Sequence, residues 1–302
     1  MSTSSSTCVA APAQRTPKAP AGRWLQRWRI FRRSRLALPG LIIFSIFIIL
    51  GLFAPWIAPF DPYANDLGNT MAPPSAQHWF GTDELGRDMV SRIIYGARIS
   101  LMEGVFSVAL AMALGIPIGV FSGYVGGRVD AVIMRLIDVL MAFPGVLLAI
   151  VIISILGPSL VNAILAVAIY SCPIFTRLSR ALTISAREEL YVEACRAIGM
   201  SHFRIVARHI FPNISAPIFT LATLRVAVAI LTCASLSFLG LGAQAPMAEW
   251  GAMLSNSRTA MLIAPHLALF PGLAIILLIL GLNLLQDGVA LVLDPNSEQR
   301  NA

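Results

Sequence analysis

The sequence predicts an all-α integral membrane protein with six transmembrane helices and both termini in the cytoplasm. Of its 302 residues, 57% are hydrophobic and only 12% are charged, and the mean hydropathy is +0.77. Soluble domains carry roughly 45–50% apolar and about 25% charged residues, so this chain lacks the polar surface that a globule in water needs. The composition therefore excludes a soluble enzyme, a disordered chain and a disulfide-rich secreted module.

Apolar stretches that can cross a bilayer occur six times along the chain. A hydrocarbon core of about 30 Å takes roughly 20 apolar helical residues. The uncharged run 139–176 is too long for one crossing, and the sequence Gly157-Pro158-Ser159 divides it because glycine and proline both disfavour a helix interior. Only Arg225 interrupts the fifth span. The predicted spans are 36–58, 104–127, 131–156, 160–176, 214–240 and 267–286.

The arginines and lysines set the orientation of these spans. Residues 1–35 carry eight of them and the loop 177–213 carries six, whereas residues 59–97 hold two arginines against five acidic residues. Positively charged loops stay in the cytoplasm. Both termini and the 177–213 loop are therefore predicted to be cytoplasmic, and the basic tail 1–35 indicates contact with membrane lipid rather than nucleic acid.

Two segments beside the spans have helical patterns of their own. In the tail, aromatic residues at helical spacing lie among arginines, which is typical of a helix in the inner-leaflet interface: Trp24, Trp28 and Phe31. On the outer side, Thr82 is suited to cap a helix over 82–97, with Asp83 and Glu84 in its first turn. Its apolar stripe predicts that this helix rests on the outer face of the membrane.

The cytoplasmic loop 177–213 is too long for a tight connector. A helix is predicted from Glu188 to Ile198, and Gly199 follows where a left-handed residue commonly ends a helix. Ser201 is suited to cap a second short helix over 202–210, which Pro212 is expected to end. Two helices joined at a glycine make a compact projection that fits a groove in a soluble partner.

Three motifs along the chain resemble those of bacterial ABC importer permeases. The first is Glu193-Ala194-Cys195 with the later Gly199 and Ile210-Phe211-Pro212, which is similar to the "EAA" loop of that family. The stretches 80–101 and 237–254 resemble the DppC/OppC-type second permease subunit of dipeptide and oligopeptide systems, a branch that includes glutathione and nickel importers. The resemblance covers residues 30–297. Departures from the family pattern are Cys195, Phe211, Ala245, Ala248, Gln286 and Ala290.

The resemblance implies a type I ABC importer permease fold in the bacterial inner membrane and alternating access as the mechanism. It also implies four partners: a homologous second permease, two ATP-binding subunits and an extracytoplasmic solute-binding protein. ATP and Mg would be bound by the ATPase subunits, so no cofactor, catalytic residue or metal is assigned to this chain. The ATPase-coupling loop comprises Tyr191, Glu193, Ala194, Cys195, Arg196, Gly199, Met200, Ser201 and Pro212.

The same resemblance divides the chain into four segments. They are the basic tail 1–35, the first helix with its extracytoplasmic segment 36–97, the permease domain 98–290 and a cytoplasmic tail 291–302.

Charged residues inside spans are candidates for function because burying them in lipid is unfavourable. Asp138 and Arg225 lie at similar depths, and either line the solute path or form a structural ion pair. Glu103 lies near the outer end of its span, where it can reach interfacial water. Residues 59–97 and 241–266 are predicted to form an outer lip that meets the binding protein, with contact groups that include Asp83, Glu84, Glu249 and Trp250.

Two other functions are compatible with a bundle of six spans. A stand-alone secondary transporter often shows internal repeats, which are not evident here, and would leave the basic loop unexplained. A membrane enzyme needs clustered catalytic side chains, whereas the four histidines are dispersed and no phosphate-binding GxxxxGK[ST] sequence occurs. An importer of peptides is favoured, with glutathione, nickel or another small solute as the alternative substrate.

Overall fold

The computed structural model describes residues 36–293, and all regular elements in that range are helices. The predicted interfacial helix of the tail 1–35 lies outside the described residues. The α-helices are α1 Ala37–Leu52, α2 Ala54–Ile57, α3 Met89–Val125, α4 Gly127–Ala142, α5 Gly145–Leu156, α6 Leu160–Arg187, α7 Leu190–Ala197, α8 His202–Ile205, α9 Phe211–Phe238, α10 Trp250–Asn256 and α11 His266–Leu293. A π-helix, Val206–Ile210, joins α8 to α9.

Four helical stretches in the described range are long and apolar enough to cross a membrane: Met89–Val125, Leu160–Arg187, His202–Phe238 and His266–Ala290. A fifth span is possible if α4 and α5 are counted together, although they meet at 90°. The predicted span 131–156 is not one continuous helix, because it is broken between α4 and α5. Phe143 is extended (ψ 134°) because the ring of Pro144 disfavours helical geometry at the preceding residue.

The helix predicted over 82–97 begins seven residues later and does not rest on the outer face. This helix is α3, which begins at Met89 and continues to Val125. Its N-cap is Asp88, whose carboxylate accepts a hydrogen bond from the Ser91 N–H at 2.8 Å. Gly86, at φ +75°, prevents an earlier start. Thr82 instead holds the preceding turn, since its Oγ1 donates to the Asn69 carbonyl and accepts from the Ala72 N–H.

Helices α3 and α6 form the most extensive contact of the bundle. Glycines on α3 face small hydroxyl residues on α6, and the backbones approach so closely that no Cβ fits between them. An ideal Cβ on Gly119 would lie 2.1 Å from the Ser179 hydroxyl and 2.2 Å from the Thr176 carbonyl oxygen. Helices in membranes associate through such small-residue stripes, because lipid provides no hydrophobic drive between them. The stripe consists of Gly115, Gly119 and Gly123.

Candidate functional site

The loop between α6 and α9 contains helix α7, whose C-terminal end has a regular hydrogen-bond pattern. Just after α7, Gly199 has φ +76°, its N–H donates to the Arg196 carbonyl at 2.9 Å, and the Met200 N–H donates to the Cys195 carbonyl at 3.1 Å. These two bonds define a Schellman motif, which needs a left-handed residue at the glycine position. The predicted conformation of Gly199 is therefore confirmed, and it sets the direction in which the chain leaves α7.

The second half of the loop differs from the expectation. Helix α8 passes without a break through the π-helix Val206–Ile210 into α9, so Pro212 does not end a helix. Pro212 is the second residue of α9 and directly follows the π-helix, so its missing N–H falls where the helical hydrogen-bond pattern changes. Ser201 occupies the N-cap position of α8, but its side chain makes no capping hydrogen bond. The return into the bundle is thus one continuous helical segment.

Large apolar side chains of this loop are exposed. Leu190, Ile198 and Phe203 have 80%, 77% and 83% of their surface accessible, whereas Val192 and Ile205 are fully buried. The apolar side chains of α7 and its C-terminal end therefore point outward, and buried Val192 holds the helix to the rest of the chain. Exposed apolar patches on soluble surfaces mark contacts with other proteins. We call this surface the docking face; it consists of Leu190, Ala194, Ala197, Ile198 and Phe203.

Tyr124, near the end of α3, anchors the loop and was missed by the sequence analysis. Its hydroxyl forms a 2.7 Å hydrogen bond with Nδ1 of His202, and the Arg196 guanidinium lies 5.7 Å from its ring centroid. The Arg187 guanidinium donates to the Tyr124 carbonyl at 3.1 Å. Beside these groups a groove of about 550 Å³ is lined by Glu188 and Glu193 as well. The sequence around Tyr124 does not indicate this role, because its hydrogen-bond partners lie 63 or more residues away along the chain.

The remaining residues of the predicted coupling loop lie around this anchor. Tyr191 accepts a hydrogen bond from the Asn213 amide at 3.1 Å, which ties α7 to α9. Glu193 is exposed, and Cys195 and Met200 are half-buried against the main core. The loop is therefore held at both ends while the docking face stays accessible.

The expected pairing of Asp138 with Arg225 is wrong. Asp138 pairs with Arg177 of α6 at 2.5 Å, and both side chains are about half exposed. Arg225 forms no ion pair within residues 36–293, and its buried Nε has no hydrogen-bond partner there.

Three of the four predicted lip residues are buried, so they do not form an exposed contact surface on this chain. Asp83 forms ion pairs with Arg87 at 2.7 Å and Arg92 at 3.3 Å. The Glu249 carboxylate caps α10 by accepting hydrogen bonds from the N–H groups of its first turn. Trp250 is fully buried, and its indole N–H donates to the Ile93 carbonyl at 3.1 Å. Only Glu84 is partly exposed.

Charge reversal should reduce the stability of the protein much more at Asp83 than at Glu84. Asp83→Lys places a third cation beside Arg87 and Arg92, and breaking a buried ion pair costs about 3–5 kcal/mol. Glu84→Lys changes a partly exposed side chain and should shift stability by no more than about 0.5 kcal/mol. Purification yield and thermal unfolding of the two variants in detergent measure the difference. Equal stability of both variants would contradict the structural role of Asp83.

A second carboxyl group, Glu103, is buried near Glu249. Glu103 is fully buried, and neither carboxyl oxygen has a hydrogen-bond partner among the described residues. The expectation that it reaches interfacial water is therefore wrong. The two carboxyl groups are close enough to repel each other when both are ionised. Burial raises the pKa of Glu249 to about 7, although the backbone N–H groups of Gly251 and Ala252 act in the opposite direction.

Glu249 should make the stability of the protein depend on pH. Its ordinary pKa is 4.5, so between that value and about 7 the folded chain holds a proton that the unfolded chain has lost. The stabilisation is complete below the unfolded pKa and is lost as pH rises through the folded pKa. Unfolding temperatures in detergent should fall between about pH 4.5 and about pH 7 and level off above that. Glu249→Gln should flatten this slope, and an unchanged slope would exclude Glu249 as its source.

No three His, Cys, Asp or Glu side chains in the described part of the chain are grouped to hold a metal ion. Three free cysteines, Cys172, Cys195 and Cys233, occur in that part.

Comparisons with known proteins agree with this geometry. Residues 115–299 match the family described as "Binding-protein-dependent transport system inner membrane component", and residues 22–74 match the "N-terminal TM domain of oligopeptide transport permease C". The chain is 48% identical over 272 residues to the dipeptide transport system permease protein DppC of Alkalihalophilus pseudofirmus, covering 90% of each chain. It is also 48% identical over 273 residues to the glutathione transport system permease protein GsiD of Escherichia coli, again covering 90% of each.

The fold is similar to that of a solved structure. A chain of the MetNI methionine ABC transporter in an inward-facing conformation superposes with a TM-score of 0.55 at 16% sequence identity. The match covers 68% of this chain and 98% of the other. At this identity the similarity concerns the fold alone.

Proposed function

This chain belongs to the family of binding-protein-dependent transport system inner membrane components, and from this premise we propose how it works as the permease subunit of an ATP-driven importer. It is a multi-pass protein of the bacterial inner membrane. Its transported solute is a dipeptide, an oligopeptide or glutathione, which the names of its 48% identical relatives support. Nickel or another small solute is the alternative within the same class.

Six spans and cytoplasmic termini are the topology that we propose. The spans are α1, α3, the bent pair α4–α5, α6, the segment 202–238 and α11. Helix α1 has only 16 residues, about 24 Å, but α2 extends its path by one turn. The distribution of arginines supports this orientation, because it places the 177–213 loop on the same side as the basic tail.

The docking face supports the proposal that the 177–213 loop couples ATP hydrolysis to solute transport. Exposed Leu190, Ile198 and Phe203 need a protein partner on the aqueous side, and Glu193 beside them is exposed for a charge-assisted hydrogen bond. The partner is a separate ATPase subunit, which binds ATP and Mg. When two such subunits close, the rigid loop transmits the movement to α6 and α9, and the solute path opens alternately to each side.

The complete importer contains a homologous second permease, two ATPase subunits and an extracytoplasmic solute-binding protein. Half-exposed charges on α4 and α6, Asp138 and Arg177, need water or a polar partner because lipid would not accept them. We place the solute path on this side of the chain, between the two permeases. The binding protein approaches the opposite end, near the partly exposed Glu84.

Co-purification tests the proposed function. The chain is expressed together with a second permease, ATPase subunits and a solute-binding protein from the same organism, purified in detergent, and reconstituted in liposomes. We expect recovery of the four-subunit membrane complex and import of dialanine or glutathione that requires both ATP and the binding protein. Recovery of the chain alone, active as a proton-coupled carrier, would contradict the importer function and support a secondary transporter.

A further inference from the structure

Two arginines lie at a similar depth on the neighbouring helices α6 and α9. The reference point is a hydrogen bond of 3.2 Å between the hydroxyl groups of Tyr170 on α6 and Thr232 on α9. The loop connects the end of α6 to the start of α9, and the helices pack against each other, so they run antiparallel.

Arg177 and Arg225 lie at equivalent positions between this hydrogen bond and the loop that joins α6 to α9. Arg177 follows Tyr170 by seven residues and Arg225 precedes Thr232 by seven residues, so both lie toward the loop. Seven residues are about 10 Å and nearly two full turns of helix, which keeps each arginine on the same face as its reference residue. The two guanidinium groups therefore project at one level from neighbouring helices.

The charges at this level do not balance. Asp138 neutralises Arg177 at 2.5 Å, and both side chains remain about half exposed. Arg225 is half-buried, lacks an ion pair among the described residues, and has a buried Nε without a hydrogen-bond partner there. One uncompensated guanidinium near the middle of a span is unfavourable unless an anion or water reaches it.

We infer that Arg177 and Arg225 form a transient binding site for a carboxylate of the transported solute, such as the C-terminal carboxylate of a peptide. The inference rests on the proposed function and names the solute chemistry that the path accepts. Guanidinium groups bind carboxylates through two parallel hydrogen bonds. Asp138 competes with the solute for Arg177, which keeps the binding weak enough for release toward the cytoplasm.

The test uses the complete reconstituted importer with Arg225→Gln, Arg225→Lys and the control Arg98→Gln. Arg98 is an exposed arginine of α3 outside this level. The probe is dialanine or glutathione, whichever the parent complex imports, supplied at saturating occupancy of the binding protein. Arg225→Gln should lower import roughly 10- to 100-fold, the range expected for a lost charged hydrogen bond. Arg98→Gln should retain most of the import, and Arg225→Lys, which keeps the charge but loses the paired hydrogen bonds, should fall between Arg98→Gln and Arg225→Gln.

Subunit recovery and ATPase stimulation identify the cause of a loss. Both should stay near the parent level in Arg225→Gln. In a separate measurement, the parent should import the C-terminal amide of the probe at least about tenfold more slowly than the acid, after correction for binding-protein occupancy. Equal import of acid and amide, or unchanged import by Arg225→Gln, would overturn the site. Loss of the second permease from Arg225→Gln would also overturn it, and would indicate a structural ion pair between the subunits. If the parent imports neither probe, the proposed substrate class fails rather than the site.

Discussion

Gly199→Val should abolish ATP-driven import while leaving the chain inserted in the membrane. Gly199 has φ +76°, and a Cβ added there would meet no atom within 4 Å, so the penalty comes from the backbone conformation rather than from a collision. A left-handed backbone costs a substituted residue about 1–2 kcal/mol, and more when the side chain is β-branched. The chain can relieve this strain by losing the two hydrogen bonds that end α7.

That relief would reorient the docking face relative to Tyr124 and α9. We expect import to fall at least about tenfold, because a change of 1.4 kcal/mol in docking already shifts the equilibrium by that factor. The measurements are import, ATPase activity and recovery of the ATPase subunits beside the parent complex. Gly199→Asn is the matched control, since asparagine tolerates the left-handed region. Full import by Gly199→Val would remove this loop as the coupling element.

Gly119→Ala should disrupt the packing of the helix bundle itself. The added Cβ would lie 2.2 Å from the Thr176 carbonyl oxygen, a backbone atom that cannot move without displacing α6. Overpacking of well-packed contacts costs about 1–3 kcal/mol, sometimes more. We therefore expect a lower yield and a lower unfolding temperature of the purified complex.

Gly272→Ala is the control for this substitution. It introduces the same methyl group in another membrane helix, where the nearest atom is 4.0 Å away at the end of the Leu254 side chain. It should be neutral or slightly stabilising, because alanine favours helices over glycine by about 1 kcal/mol. If both variants unfold at the same temperature, the close approach of α3 and α6 does not limit stability.

The docking face shows what an apolar pattern leaves undecided. Leu190 and Ile198 lie on the apolar stripe of α7, which in an isolated domain would pack on the core. In the structure they are exposed, and Val192 from another face holds the helix. A periodic pattern reports which residues share a face, but it does not report whether that face is covered by the same chain or by a partner.

Buried charges of the outer segment were misassigned for a related reason. Asp83 and Glu249 are acidic residues in segments between spans, and such residues are usually solvated. Each is buried because it has a specific partner, two arginines for Asp83 and the helix start at Trp250 for Glu249. These partners lie within nine residues along the chain, but the burial of the two carboxylates is set by tertiary packing, which composition does not encode.

The sequence by itself determined the membrane class, the positions of most apolar helices, the left-handed conformation of Gly199 and the family resemblance. These features depend on short-range chemistry: hydrogen-bonded helices in an apolar medium and the backbone freedom of a single glycine. Only the tertiary structure decided the bend at Pro144, the partner of Asp138, the anchoring role of Tyr124 and the common level of Arg177 and Arg225. These features depend on contacts between helices that are distant along the chain, because the energy of an ion pair or a hydrogen bond is set by the distance between its partners.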